Sequence, residues 1–379
     1  MEKTINIGMI GTGFMGRAHS NAYLQAARFF DLPLRPILHA ACGRDQTRLQ
    51  QFARKMGWKR TASSVEKLME DEDIQLIDIC TPNDMHLPIT LSAAKAGKHI
   101  LCEKPLARNV REAAAMYQAV RNAGIFHMVV FNYRFLPAVR LAKKAIDEGR
   151  IGSIRHFDAV YYQDWLLNPA FPIVWRHEAT ASGSGANGDM HAHTVDLARY
   201  LCGEIEAVNG FQKTFIKSRP LPDGKGMGEV STDDATLFLA AFHNGAVGSF
   251  RASRLATGRK NHLSFEIYGS EGALRFNLER PNELQFYSLQ DEAAYQGYRN
   301  ILTTDASHPY MSAWWPVGHN LGWEHTFIHQ VKELIEGIAE GKKASPDFYD
   351  GLKCQEVLDA VISSAQKGSW TEVKSAYKI

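Results

Sequence analysis

Asp189 and His193 stand four residues apart in the run Gly183-Ser-Gly185-Ala-Asn-Gly188-Asp189-Met-His191-Ala-His193-Thr-Val-Asp196. A glycine-rich loop leading into a helix would place both side chains on one helix face, because residues i and i+4 are neighbours there. His193 could then exchange a proton with a substrate hydroxyl, since imidazole titrates near neutrality, and Asp189 could hold an adjacent polar group. The same spacing also suits a capping Asp and a packed core histidine, and the pattern alone leaves both open. His191 lies about 200° round a helix from Asp189. A helical His-x-His is a poor metal pair and no metal-ligand spacing accompanies it, so no metal is expected. A third candidate is Lys104, in Glu103-Lys104-Pro105 directly after the short apolar run 99–102. If that run is a parallel strand, the lysine stands at its carboxyl end, where ligand crevices open. Otherwise it is an exposed surface lysine.

Such groups need a scaffold, and the chain opens on one. Residues 5–10 form an apolar run that ends in Gly11-Thr-Gly13-Phe14-Met15-Gly16, with a helical pattern following. Strand, glycines, helix is the context that makes Gly-x-Gly-x-x-Gly a dinucleotide-binding signature. Gly11 permits the tight turn, Gly13 lets the backbone approach a pyrophosphate, and Gly16 lets helix and strand pack closely. Phe14 and Met15 complete the loop, and the helix start offers N–H groups to phosphates. Apolar runs at 35–42, 74–80, 99–102 and 126–131 then alternate with helical patterns at 46–56, 65–70, 87–96 and 110–122. This alternation predicts right-handed crossovers and a parallel sheet with its ligand crevice at the strand ends.

The pattern changes near residue 130. Helices are expected at 137–148 and 188–201, and strands at 154–162, 207–215, 235–242, 245–252, 263–268, 273–278 and 283–288. Strands without intervening helices predict an antiparallel sheet. Helices at 324–340 and 349–367 finish the chain. Residues 220–227 read as a surface loop, and 291–315 as an irregular, aromatic-rich segment suited to a lid or an oligomer contact. The fold class is α/β plus α+β. Residues 1–130 are read as a Rossmann domain with a parallel sheet. Residues 131–379 are read as a substrate-binding and oligomerisation domain, with a mainly antiparallel open sheet flanked by helices. Its C-terminal helices can pack back on the first domain.

Composition agrees. The 379 residues favour two domains. A net charge of +2 gives no reason to invoke nucleic acid or a membrane surface. No apolar stretch approaches the roughly 18 residues that span a bilayer. The first strand begins too early to leave room for a signal peptide. Five scattered cysteines without Cys-x-x-Cys are expected as reduced thiols in the cytoplasm. Two further groups could face a substrate. Tyr133 and Arg134 follow the last strand of the first domain and suit either a substrate wall or interdomain packing. Trp165 and Arg176 offer amphipathic and hydrogen-bonding surface for a polyol face, though aromatics also serve cores and interfaces.

Together these residues resemble the glucose–fructose oxidoreductase / inositol dehydrogenase / rhizopine-catabolism (Gfo/Idh/MocA) family. The resemblance runs over essentially the whole chain. It rests on Gly11–Gly16, on Thr81-Pro82-Asn83 with His86, on Glu103-Lys104-Pro105 and on Gly188-Asp189-x-x-x-His193-x-x-Asp196. The segments 163–165, 318–322 and 345–348 look like its levoglucosan- and inositol-type members. The resemblance implies a catalytic set of Lys104, Asp189 and His193, a nicotinamide cofactor, and hydride transfer at a secondary hydroxyl of a sugar or cyclic polyol. It also implies a homodimer or homotetramer. His193 would take the hydroxyl proton, Lys104 would stabilise the developing alkoxide, and Asp189 would orient the substrate.

The chain departs from the family at two places. His191 replaces a usually small residue, and could reach the substrate or only fill space. The second strand ends Ala41-Cys42-Gly43-Arg44-Asp45, with glycine where an acid usually meets the ribose 2′-hydroxyl of NAD. Arg44 without an acid favours a 2′-phosphate, so NAD(P) is expected with a lean to NADP, unless Asp45 reaches the ribose. The same motifs also fit an enzyme that oxidises C3 of a glycoside transiently and eliminates the aglycone with cofactor recycling. A non-catalytic nicotinamide sensor on this fold should lose the lysine or the histidine.

Overall fold

A computed structural model describes residues 3–376, and the chain separates into two compact units. Residues 1–135 and 322–352 form the first. Its strands are β1 (Thr4–Ile10), β2 (Arg35–Cys42), β3 (Arg60–Ala62), β4 (Leu76–Ile79), β5 (His99–Cys102) and β6 (His127–Val129). The helices α1 (Phe14–Phe29), α2 (Gln46–Met56), α3 (Val65–Glu70), α4 (His86–Lys95) and α5 (Val110–Ala123) connect them. All pairings are parallel, in the order β3-β2-β1-β4-β5-β6. Ile7, Met9, Leu76, Ile77, Ile79 and Ile100 are fully buried, as expected of a parallel sheet covered on both faces. Three helix starts are capped by the side chain that the sequence supplies: Asp45 for α2, Ser64 for α3 and Asn109 for α5. The later helix His325–Glu340 packs along α1. Sequence reading missed β3, whose three residues carry almost no periodic signal.

Residues 136–321 and 353–379 form the second unit. It begins with α6 (Pro137–Asp147), β7 (Ile154–Tyr162), α7 (Ala179–Ser182), α8 (Ala192–Cys202) and β8 (Ile205–Lys213). There follow β9 (Ser218–Pro220), β10 (Met227–Glu229), β11 (Ala235–Phe242), β12 (Val247–Ser253), β13 (His262–Gly269), β14 (Gly272–Asn277), β15 (Glu283–Ser288) and β16 (Arg299–Leu302). The helix already met, His325–Glu340, is α9; α10 (Phe348–Lys367) and β17 (Thr371–Glu372) close the chain. The nine-stranded sheet runs β16-β15-β14-β13-β7-β12-β11-β8-β17 and is antiparallel except for β7 beside β12. Phe157, Phe238, Phe250 and Phe265 fill its inner face, with Phe238 and Phe250 stacked at 4.3 Å. Its outer face exposes Phe211, Leu237, Leu239 and Val247.

Two expectations are corrected here. The loop expected at 220–227 joins β9 to β10 in a separate two-stranded ribbon, because Pro220 sits at a strand end and the glycines fall in the turn. The helix expected from Gly188 starts as one wide i→i+5 turn, Asn187–His191, before α8 proper. Among the described residues, no helix is long and apolar enough to cross a membrane.

Candidate active site

Gly11 has φ +105, and a Cβ there would meet the Cys80 carbonyl oxygen at 2.4 Å. A Cβ on Gly16 would meet the Gly11 carbonyl oxygen at 2.3 Å. Both glycines are therefore imposed by the packing of α1 on β1 and β4. Gly13 differs: nothing lies within 4 Å of a Cβ built there, so its side is open. Unlike α2, α3 and α5, α1 has no side-chain cap and no acid in its first turn. That helix start follows β1, where the strand order reverses between β1 and β4, the switch point at which open α/β sheets bind ligands. Thr81 adds a buried hydroxyl with no hydrogen-bond partner in the protein, and Asn83 is buried beside it. An uncapped helix start, an open glycine and an unmet hydroxyl fit a dinucleotide.

The end of β2 bears on the ribose. A Cβ at Gly43 would lie 3.2 Å from Thr12 Oγ1, tighter than ordinary contact. Arg44 is exposed. Asp45 accepts the Arg48 N–H at 3.0 Å, so its carboxylate serves as the α2 cap.

Lys104 stands two residues beyond β5, as the strand-end reading requires, and is partly exposed. His86 is fully buried. Its Nδ1 lies 3.1 Å from the Pro105 and Leu106 carbonyl oxygens, and its Nε2 3.2 Å from that of Thr81. The ring thus braces the Thr81-Pro82-Asn83 segment to the Lys104-Pro105 segment, and burial lowers its pKa. Glu103 is also turned inward. Its Oε2 accepts the Lys104 N–H at 3.1 Å, and Oε1 lies 3.0 Å from His19 Nε2. Sequence reading missed His19 and its other neighbour, Asp78. The available signal was a polar residue on the buried face of α1 and an acid inside the apolar strand Leu-Ile-Asp-Ile.

In the second unit Asp189 lies within the wide turn and His193 in the first turn of α8. Asp233 anchors that turn. Its Oδ1 accepts the Gly185 N–H at 2.6 Å, and its Oδ2 accepts the Asn187 N–H at 2.8 Å and the Thr236 hydroxyl at 2.6 Å. Asp233 was not singled out from the sequence. Asp189 is partly exposed, with Arg176 Nε 3.9 Å from its carboxylate. Arg176 in turn lies over the Trp175 ring at 4.3 Å. His193 is buried, edge-on to Tyr161 at 5.8 Å. His191 belongs to the interior. It is fully buried, Nδ1 lies 2.9 Å from Thr194 Oγ1, Nε2 lies 3.0 Å from the Thr236 carbonyl oxygen, and Phe238 packs against the ring. Burial holds its pKa down at about 4.

Trp165 keeps 37% of its surface exposed and packs edge-on to Phe171. The segment it begins is pinned by two fully buried arginines that sequence reading also missed. Arg219 donates to the Leu166, Asn168 and Phe171 carbonyls, and Arg254 to those of Arg176 and Asp233. Tyr133 and Arg134 are buried in the first unit, where the Arg134 guanidinium lies 3.4 Å from both Asp350 and Ser345 Oγ. Lys104, the glycine loop and Thr81 to His86 therefore lie in the first unit, and Arg176, Asp189 and His193 in the second.

Comparison with known proteins matches both units. A family profile described as an oxidoreductase family with an NAD-binding Rossmann fold covers residues 5–131, and a GFO/IDH/MocA C-terminal domain profile covers residues 139–275. Levoglucosan dehydrogenase of Pseudarthrobacter phenanthrenivorans is 43% identical, over 98% of both chains. The scyllo-inositol 2-dehydrogenase (NAD(+)) of Bacillus subtilis is 30% identical, over 76% of this chain and 79% of its own. Among solved structures, levoglucosan dehydrogenase in complex with NADH and levoglucosan superposes with a TM-score of 0.96 over 98% of this chain and 100% of that one, at 43% identity. An oxidoreductase domain protein from Kribbella flavida gives the same TM-score and coverage at 48% identity.

Proposed function

The chain belongs to the Gfo/Idh/MocA oxidoreductase family, and from that premise we propose that it oxidises a secondary hydroxyl of a sugar or cyclic polyol, of levoglucosan, inositol or aldose type. The observation that carries this reading is full-length likeness to a dehydrogenase solved with NADH and levoglucosan, joined to a glycine loop and helix start that fit a dinucleotide. The bound nicotinamide supplies the hydride acceptor. His193 takes the proton from the reacting hydroxyl. Lys104 donates a hydrogen bond to the same oxygen and stabilises the charge that develops on it. Asp189, steadied by Arg176, accepts a hydrogen bond from a neighbouring hydroxyl, while Trp165 offers a flat apolar face to the sugar ring. In this reading residues 1–130 seat the dinucleotide, and 131–379 bind substrate and mediate oligomerisation.

Cofactor choice turns on the end of β2. Gly43 and exposed Arg44 favour a 2′-phosphate, and the engagement of Asp45 as a cap removes the nearest acid from the ribose. These support NADP. The NADH complexes of the levoglucosan dehydrogenase relative support NAD as the second reading. The apolar outer face around Phe211, Leu237 and Leu239 supports a homodimer or homotetramer built through that sheet. Five cysteines that form no disulfide suit the cytoplasm.

The test is the initial rate of cofactor reduction with NAD and NADP in parallel, against levoglucosan, myo-inositol, scyllo-inositol, D-glucose and L-glucose. Reduction with one of them is expected. Binding of the dinucleotide without net reduction by any sugar would overturn the dehydrogenase reading and favour recycling of the cofactor through glycoside elimination.

A further inference from the structure

The buried face of α1 carries Gly16, His19, Ser20 and Tyr23, where an ordinary core helix would present aliphatic groups. His19 is 1% exposed. Its Nδ1 lies 3.0 Å from both carboxylate oxygens of Asp78, and its Nε2 lies 3.0 Å from Oε1 of Glu103. Both ring nitrogens face carboxylates, the arrangement that suits an imidazolium donating from each nitrogen. Tyr23 donates its hydroxyl to Asp78 at 3.1 Å, and the Cys80 thiol lies 3.3 Å from His19 Nδ1 and from Asp78. The Phe327 ring closes the remaining side at 5.4 Å between centroids. Asp78, Glu103, Cys80 and Tyr23 are thus the titratable groups that face the ring. Burial opposes the charge, Asp78 and Cys80 favour it, and the balance raises the His19 pKa well above its ordinary value.

A buried ionic cluster is a poor way to gain stability, since well-packed apolar side chains of similar volume usually do as well or better. What this cluster adds is direction. Glu103 is held at both oxygens, by His19 at Oε1 and by the backbone N–H of Lys104 at Oε2. His19 stands in the second turn of α1, one turn from its uncapped start. We infer that His19 is a positioning residue, which through Glu103 locks the lysine segment after β5 to the helix that seats the dinucleotide. The inference rests on the reading of Lys104 as the group that meets the reacting oxygen.

Three variants test it: H19Q, E103Q and H19Q/E103Q. The neutral amide in H19Q removes the positive charge that Asp78 and Glu103 share, so the cluster carries one more net negative charge. The expected result for H19Q is a kcat lowered by roughly ten-fold or more. Sugar KM and the NADH Kd from fluorescence quenching stay within about three-fold. A new ionisation also enters kcat between about pH 5 and 8, as one of the two carboxylates takes up a proton. In the double variant only Asp78 keeps a charge, so the net charge of the cluster returns to the native value, the ionisation disappears and part of kcat returns. An unchanged kcat in H19Q would overturn the inference. So would a parallel loss of kcat, NADH affinity and melting temperature with no recovery in the double variant, which is the signature of a merely structural residue. A second arm is independent of turnover. In the cofactor-free protein, nitrogen NMR should show both His19 ring nitrogens protonated above neutral pH, and the Lys104 side-chain signal should move in H19Q. A neutral ring, or an unmoved Lys104 signal, overturns the inference even if no sugar in the panel is a substrate, a result that would count separately against the dehydrogenase reading.

Discussion

Asp233 and Asp234 are adjacent, buried and chemically identical, yet replacing each by asparagine should have different consequences. Asp233 accepts three hydrogens with two oxygens: Gly185 N–H on Oδ1, Asn187 N–H and the Thr236 hydroxyl on Oδ2. Asp234 accepts the Phe215 and Ile216 N–H groups on Oδ2 alone, and its Oδ1 is buried without a partner. In D234N the amide nitrogen can take the Oδ1 position, where no donor opposes it. Both bonds survive but lose their charge assistance, which costs about 2 kcal/mol at about 1 kcal/mol per bond. In D233N, whichever way the amide turns, its NH2 group faces a backbone N–H. Two surviving bonds weaken by about 2 kcal/mol in total, and the orphaned donor adds about 2 kcal/mol more. The expected losses are thus about 4 and about 2 kcal/mol, and the gap is roughly a 30-fold difference in equilibrium constant. Amide hydrogen exchange at Gly185 and Asn187, read beside urea unfolding of each variant, measures both the local and the global effect. Equal losses, or a larger loss in D234N, would refute the hydrogen-bond accounting. Because Asp189 lies within the same turn, D233N should also lower turnover where D234N does not.

Other predictions concern chemistry and pH. H193A should lower turnover by roughly 100-fold or more while leaving dinucleotide affinity nearly intact, as steady-state rates with fluorescence titration would show; loss of affinity instead would contradict the role of His193. R44A should reduce kcat/KM with NADP by roughly ten-fold or more and with NAD by no more than about three-fold. Equal losses with the two cofactors would remove Arg44 from the 2′ position. His191 and His177 are both held neutral with pKa values of about 4, His191 by burial, and His177 by burial together with Arg254, Arg219 and Arg176. The unfolded chain binds protons at both near pH 6.5. Each therefore contributes stability that is complete above about pH 6.5 and lost as pH falls towards 4, about 3 kcal/mol per residue. H191Q should flatten the acid limb of the stability curve over that window by about 3 kcal/mol, as denaturant titrations at stepped pH would reveal.

The parallel sheet was legible because its signals are local. The run 5–10, the glycines after it and the alternation of apolar runs with helical patterns up to residue 131 each announce an element from a few neighbouring residues. The same holds for Lys104, whose strand-end position follows from 99–102 alone. The His19 cluster was not legible, since its members lie 59 and 84 residues apart in sequence and are joined only by the packing of α1 on β4 and β5. Asp233 escaped for the same reason, acting 46 and 48 residues away from the amides that it holds. His191 shows the converse. Its type and its neighbour His193 suggested chemistry, and only the Thr236 carbonyl, Thr194 and the Phe238 ring reveal a core residue.

The crowding of Gly43 against Thr12 has a bearing on how this protein can diverge. In the NADP reading proposed above, moving the cofactor preference towards NAD would ordinarily mean placing an acid at 43. Here the first atom of any such side chain lands against a threonine within the glycine loop itself. With Thr12 in place its side chain must give by a few tenths of an ångström, whereas a smaller residue at 12 makes room for that atom. A library that randomises positions 12 and 43 together should therefore return acids at 43 more often than one randomised at 43 alone.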